Sequence, residues 1–239
     1  MNNVLTRRLG LLSTLLGLLS LVLLAVSAWG FRANGWPWPQ AYNLTGWGVW
    51  AAITGVIMAA AALLGQLRKP RNGVIIALVG LVLSLPVAGL GLAFEIASRT
   101  TPWINDISTD TEDPPVFWFT ATPSDYPAQN GAPQRATYPG VRTLDLPLSV
   151  EDAFEGALTL VQSRGWEVLS ADPDESQIEA IARSRIFGFE DEVAIRFTQT
   201  DTGTAVDIRS RSRLGQTDRG ANARRIQAFF ADLKQQTAE

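Results

Sequence analysis

The chain contains no cysteine and no histidine. Without cysteine there is no disulfide, no thiolate nucleophile and no sulfur-ligated metal. Without histidine there is no Ser-His-Asp triad, no HExxH zinc site and no imidazole general base. A bound metal would have to be a hard cation held by carboxylates and carbonyls. Bases are scarce where nucleic acid would need them: residues 100–239 hold thirteen bases against 22 acids, a net charge of −9. Phosphate binding requires a broad basic face, so nucleic acid is not an expected partner. No motif for a cofactor or a metal is present, and none is expected.

What is present divides sharply near residue 99. Residues 1–99 are mostly apolar, with seven bases and a single acid, Glu95. Three runs, 9–31, 44–67 and 74–97, reach the roughly 20 residues that a ~30 Å hydrocarbon layer demands. The first follows Arg7 and Arg8 and contains Val26-Ser27-Ala28, which resembles a signal cleavage site. Its apolar stretch exceeds the roughly 7–15 residues of a signal h-region, and a retained span is expected.

Arg7 and Arg8 precede the first span, and Arg68, Lys69 and Arg71 separate the second and third; the first connection carries only Arg32. The positive-inside rule then places the N-terminus in the cytoplasm of a bacterium and the C-terminal domain in the periplasm, at the inner membrane. Trp29, Trp36, Trp38, Tyr42, Trp47 and Trp50 gather around the first connection, as an interfacial aromatic belt would. Gly10, Ser13 and Gly17, and Ala51, Gly55 and Ala59, recur at spacings that allow close helix approach, within the chain or against a partner. Ionisable residues that would mark a transport path are missing from the spans, apart from Glu95 near the end of the third.

Residues 100–141 are proline-rich and lack helix or strand periodicity, which predicts an extended, surface-hugging linker. Asp106, Asp110, Glu112 and Asp113 make its first part acidic. The ligand spacing and turn glycine of an EF-hand are absent, so Asx-turns and a solvated acidic strip are the expectation there.

From residue 142 the periods are readable. A short strand over 143–146 leads to a helix opened by a Ser149/Asp152 capping box and closed by Gly165, with Val150, Phe154, Ala157, Leu158 and Val161 as its apolar stripe. Strands follow over 166–171, 177–183, 192–200 and 204–210, then a helix with Ile226, Phe229, Phe230 and Leu233 on one face. The order β-α-β-β-β-β-α over 142–236 predicts an α+β domain, an antiparallel sheet with both helices packed on one face and the other face open.

Strand alternation points Val206, Ile208 and Ser210 toward the helices and Asp207, Arg209 and Arg211 to the opposite face, with Arg213 next in line. Arg183 and Arg196 join them from neighbouring strands. Such a row binds anions, either an outside carboxylate, phosphate or lipid headgroup, or the chain's own acids: Asp207, Glu179, Glu192 or the acidic linker. Asp218 is placed to cap the last helix, and Asn222 to tie the connection from its buried side.

Two functional readings follow. The first is a non-enzymatic binding or accessory module, held at the membrane among lipids and engaging a protein partner or an anionic ligand. The alternative is an envelope hydrolase or transferase in which Ser210 or Ser212 is the nucleophile, Asp207 or Asp218 the base, and arginines stabilise the oxyanion; serine without His or Lys is weakly activated.

The elements NDISTDTEDPP with Phe117, Tyr138-Pro139, Phe154, Gly165-Trp166, Ile178-Glu179-Ala180, Phe189 with DEVAIR, and VDIRSRSRLGQTDRGANARRI together resemble an uncharacterised bacterial and plastid family, domain of unknown function 1499. The resemblance covers roughly residues 102–233. It implies hydrophobic N-terminal segments and carries no enzymatic activity.

Overall fold

The computed structural model of the chain describes residues 3–66, 73–120 and 123–236. Leu67, which closes the second expected span, and the loop bases Arg68, Lys69 and Arg71 lie outside the described residues. The chain divides into two compact units, Met1–Ile96 and Ala97–Glu239.

In the first unit, α1 (Asn3–Asn34), α2 (Trp38–Gln66) and α3 (Val74–Thr100) are each long and apolar enough to cross a membrane. The buried side of α1 repeats a hydroxyl every seven residues, at Thr6, Ser13, Ser20 and Ser27. Ser13 Oγ donates to Gly55 O at 2.8 Å, Ser27 Oγ to Ala41 O at 2.6 Å, and Thr14 Oγ1 to Ile76 O at 3.0 Å. These hydroxyls lean on helix carbonyls that need no side chain opposite, which small residues supply. The close approach is visible at Gly80, where an added Cβ would sit 2.2 Å from Ser13 Oγ and 2.7 Å from the backbone N of Thr14. The small residues thus pack the helices on one another. On α2 the buried row runs through Gly48, Ala52, Gly55, Ala59 and Ala62. Alternating steps of four and three keep it on one face, and this passes through Ala52 rather than the expected Ala51.

The second unit is a six-stranded, fully antiparallel sheet. In chain order it contains β1 (Asp106–Ser108), a 3-10 turn and α4 (Gly131–Thr137), β2 (Leu144–Leu146), α5 (Val150–Ser163), β3 (Glu167–Asp172), β4 (Gln177–Arg183), β5 (Glu190–Thr200), β6 (Gly203–Ser212) and α6 (Ala221–Gln236). The main path is β1-β6-β5-β4-β3, with β2 sharing the outer edge of β6 beside β1. Gly203 makes this possible: its φ of +145° opens the β5–β6 turn, and a Cβ there would strike Leu146 O at 2.1 Å.

Ser149 caps α5 as expected, accepting from Asp152 N at 3.1 Å while its hydroxyl reaches the Asp152 carboxylate. Gly165 follows the helix at φ +67°. The two long helices cover one sheet face. Phe154, Ala157 and Val161 of α5 and Ile226, Phe229 and Leu233 of α6 bury against Ile178, Val193, Ile195, Phe197, Val206 and Ile208.

The opposite face is not open. Residues 100–141, expected to lack regular structure, contribute β1, the 3-10 turn and α4, and the intervening chain crosses the sheet as a strap. The polar side chains beneath it are buried: Gln177, Glu179, Glu192, Asp207 and Arg209. Buried charges persist only where they are paired and hydrogen-bonded, and that requirement organises the site.

Candidate functional site

Arg209, at the centre of the expected arginine row, is 1% exposed. Its guanidinium has five N–H donors, and all five are used. Nε and Nη2 grip Asp106 Oδ1 and Oδ2 at 2.9 and 2.7 Å. Nη1 donates to Pro115 O and Ser124 O at 3.1 and 2.7 Å, and Nη2 to Asp125 O at 3.3 Å. The Phe117 and Tyr126 rings lie 4.9 and 5.4 Å from the guanidinium carbon. One side chain therefore fastens β1 and two stretches of the strap to β6. Burial, then the nearby Asp106 charge, pushes the Tyr126 hydroxyl up to about 12.

The other members of the row are also engaged inside the domain. Arg196 binds Asp113 Oδ2 at 2.9 Å and Asp113 O at 2.8 Å, meets Asp207 at 3.2 Å and lies 3.7 Å from Asp110. Asp207 accepts in addition from Thr109 and Thr143. Arg211 takes Glu192 and Pro123 O and lies 4.6 Å from the Phe117 centroid, so that ring is in contact with two guanidiniums. Arg213 joins Glu192 to Glu190, and Arg183 joins Glu190 to Glu167. Burial acts to raise the Glu190 pKa, but hydrogen bonds from Arg183 and Arg213 outweigh it and hold the carboxyl below its usual value.

The acidic segment is used piecemeal. Asp106 is the clasp, and Asp113 and Asp110 serve Arg196. Asp110 also forms the expected Asx-turn by accepting from the N–H groups of Glu112 and Asp113, both at 2.9 Å. Glu112 meets Arg135 on the surface. Among the described residues no group of three or more His, Cys, Asp or Glu can hold a metal ion.

Asp218 accepts from Gly220 N and Asn222 N at 2.8 and 2.7 Å, which secures the start of α6. Burial raises its pKa against the pull of those hydrogen bonds. Asn222 is fully buried and ties the connection as expected, accepting from Ser210 Oγ at 2.7 Å and donating to Asn105 O and Ser212 Oγ. Arg225 completes this knot by joining Ser210, Asn222 and Asp191. Ser210 is sealed on the helix side, whereas Asp207 lies on the strap side, so the two do not meet as nucleophile and base.

Two further polar residues hold the strap: Gln134, which was not singled out from sequence, and Glu179, which was expected only as a counter-ion to the arginine row. Gln134 of α4 is fully buried and pairs both backbone groups of Ser108, accepting from its N–H at 3.0 Å and donating to its carbonyl at 2.6 Å. It stands in for a strand beyond β1. Glu179, 1% exposed, receives Trp118 N at 2.7 Å, Phe119 N at 3.1 Å and Gln177 Nε2 at 3.1 Å. A buried acid inside strand β4 was the available signal for Glu179, since a strand carboxylate survives there only with donors converging on it.

The fastened strap turns Phe117 inward and leaves Val116, Trp118 and Phe119 outward, the last two 50% and 59% exposed. Beside them lies a cleft of about 220 Å³ between Asp113, Tyr126 and Arg209. That is smaller than the roughly 300–1,000 Å³ of small-molecule sites.

Fold and site define a class: an apolar helical segment joined to an antiparallel α+β domain whose second face is closed by its own clasped strap. The chain belongs to the family described as protein of unknown function (DUF1499), whose model matches residues 106–233. The match opens at Asp106, so the family unit includes the strap as well as the sheet. A search of curated proteins finds no match.

Proposed function

We propose that this protein is a non-enzymatic binding module of a bacterial inner-membrane complex, with its N-terminus in the cytoplasm and its C-terminal domain in the periplasm. The domain engages a protein partner through Val116, Trp118 and Phe119. The observation that carries this reading is an immobilised backbone with exposed aromatics: buried Glu179 holds the N–H groups of the same two residues whose side chains face outward. Aromatic anchors on a preorganised segment suit protein interfaces, because little conformational entropy remains to be lost on binding. The arginine row is unsuited to a free anion, which would have to displace a carboxylate already in place. The orientation rests on the bases flanking the apolar helices.

The test is a photo-crosslinking amino acid at position 119 of the full-length protein in its native membrane, with position 174 as control. A discrete protein adduct at 119, absent at 174 and weakened by Trp118→Ala, supports the reading. Equal labelling at the two positions overturns it.

A further inference from the structure

The C-terminal domain is polarised from one end of its sheet to the other. At one end lie residues 101–105 before β1, the β4–β5 loop over 184–189 and the β6–α6 loop over 213–220. Hydrogen bonds join residues 101–105 to the β6–α6 loop, and that loop to the start of β5, where the β4–β5 loop ends. Arg213 N donates to Glu190 O at 3.1 Å, Ser212 N to Asn105 O at 2.9 Å, and Asp218 N to Ile104 O at 3.2 Å, while Asn105 Nδ2 reaches Gly215 O at 2.6 Å. Each loop presents one large exposed apolar side chain: Trp103, at 76%, Ile186 and Leu214. The loops over 184–189 and 213–220 also carry Arg185 and Arg219, besides Arg213 whose charge is met by Glu190 and Glu192, against a single acid, Asp218. The opposite end is formed by the turns over 145–152, 172–176 and 200–203. These hold seven acids and no base.

We infer that the Trp103–Ile186–Leu214 rim is a lipid-docking surface that rests in the headgroup layer of an anionic bilayer. Two facts on the chain select lipid over other occupants. Only residues 101–105 separate the end of α3, a helix apolar enough to cross a membrane, from β1. At about 3.3–3.6 Å per residue they span at most ~18 Å, so the rim cannot leave the vicinity of the surface where that helix emerges. The charge pattern agrees, because a tryptophan and aliphatic tips flanked by arginines suit an anionic interface while the acidic turns suit the side away from it. This surface is separate from the Val116–Phe119 strap and does not depend on the reading given to it.

The absence of cysteine makes the test direct, since any introduced cysteine is unique. Full-length Ile186→Cys, Leu214→Cys and Asp174→Cys proteins carry an environment-sensitive fluorophore in nanodiscs containing phosphatidylglycerol. At 186 and 214 the emission shifts to the blue, and nitroxide-bearing lipid quenches it several-fold more than aqueous iodide does; at 174 the order reverses. Iodide quenching at 186 and 214 equal to that at 174 overturns the inference. So does protection of both positions from both quenchers, which would place protein there.

Discussion

Replacing Arg209 by methionine keeps much of the side chain's bulk and removes all five donors. Asp106, itself buried, would lose its partner, and the carbonyls of Pro115, Ser124 and Asp125 would lose theirs. Breaking one side of a buried ion pair costs about 3–5 kcal/mol. Because Arg209 and Asp106 are 1–2% exposed at the side chain, screening does not discount this figure. With a urea slope of about 2–3 kcal/mol per molar, the unfolding midpoint of the C-terminal domain should fall by about 1–2.5 M. The measurement is tryptophan fluorescence of the full-length protein in detergent, with limited proteolysis across residues 109–127 as a second reading. Arg209→Lys should lie between the two, since an ammonium offers three donors to five acceptors and cannot match the carboxylate's planar fork. An arginine poised for an outside anion behaves differently: removing it leaves stability unchanged or raises it. A midpoint within ~0.2 M of wild type, together with an intact strap, would refute the clasp.

Other outcomes follow from the same contacts. Gln134→Leu strands the N–H and C=O of Ser108, at about 1–3 kcal/mol for each buried group, and hydrogen exchange at Ser108 should accelerate accordingly. In the apolar unit, Gly80→Val should lower thermal stability in detergent by about 1–3 kcal/mol through overpacking on α1. Gly46→Ala, with open space where its Cβ would go, should not. Glu190, held below its usual pKa of 4.5, contributes stability above that value and loses it as pH falls through the lowered one. Wild type should therefore lose its advantage over Glu190→Gln on the acid side alone. Asp218 has the opposite sign: its pKa is raised from 3.8, so wild type should lose ground to Asp218→Asn as pH rises from 3.8 through the raised value, and then level off.

The elements with a clean period were legible from sequence. The β5 pattern of Val193, Ile195 and Phe197 lands in the core, and the α6 stripe does the same. Caps with local partners, Ser149 and Asp218, were equally visible. The strap was not, because its order is non-local. β1 is three residues long and pairs across the chain, Asp106 with Arg211, while Gln134 supplies by side chain what a further strand would supply by backbone. No periodicity encodes such contacts. The arginine alternation was readable, and so was its internal pairing, with Asp207, Glu179, Glu192 or the acidic segment, as one of two options; what decided between them was cover over the sheet. Arg211 and Arg213 pair with Glu192, one of the expected strand acids, and Arg213 also with Glu190, which was not foreseen, rather than with the acids of 106–113. The hydroxyl heptad of α1 was present in the sequence as Thr6, Ser13, Ser20 and Ser27, but its meaning depended on which carbonyls lay opposite.

The central claim is that the strap is a built part of the domain, held by buried charge, with its aromatic side chains left over for contact. Hydrogen exchange at the Trp118 and Phe119 amides of the wild-type protein tests it most directly. Both N–H groups end on Glu179, so they should exchange as slowly as the β5–β6 ladder, and Glu179→Gln should speed Trp118 and Phe119 selectively. Exchange of those two amides at the rate of an open loop would contradict the account.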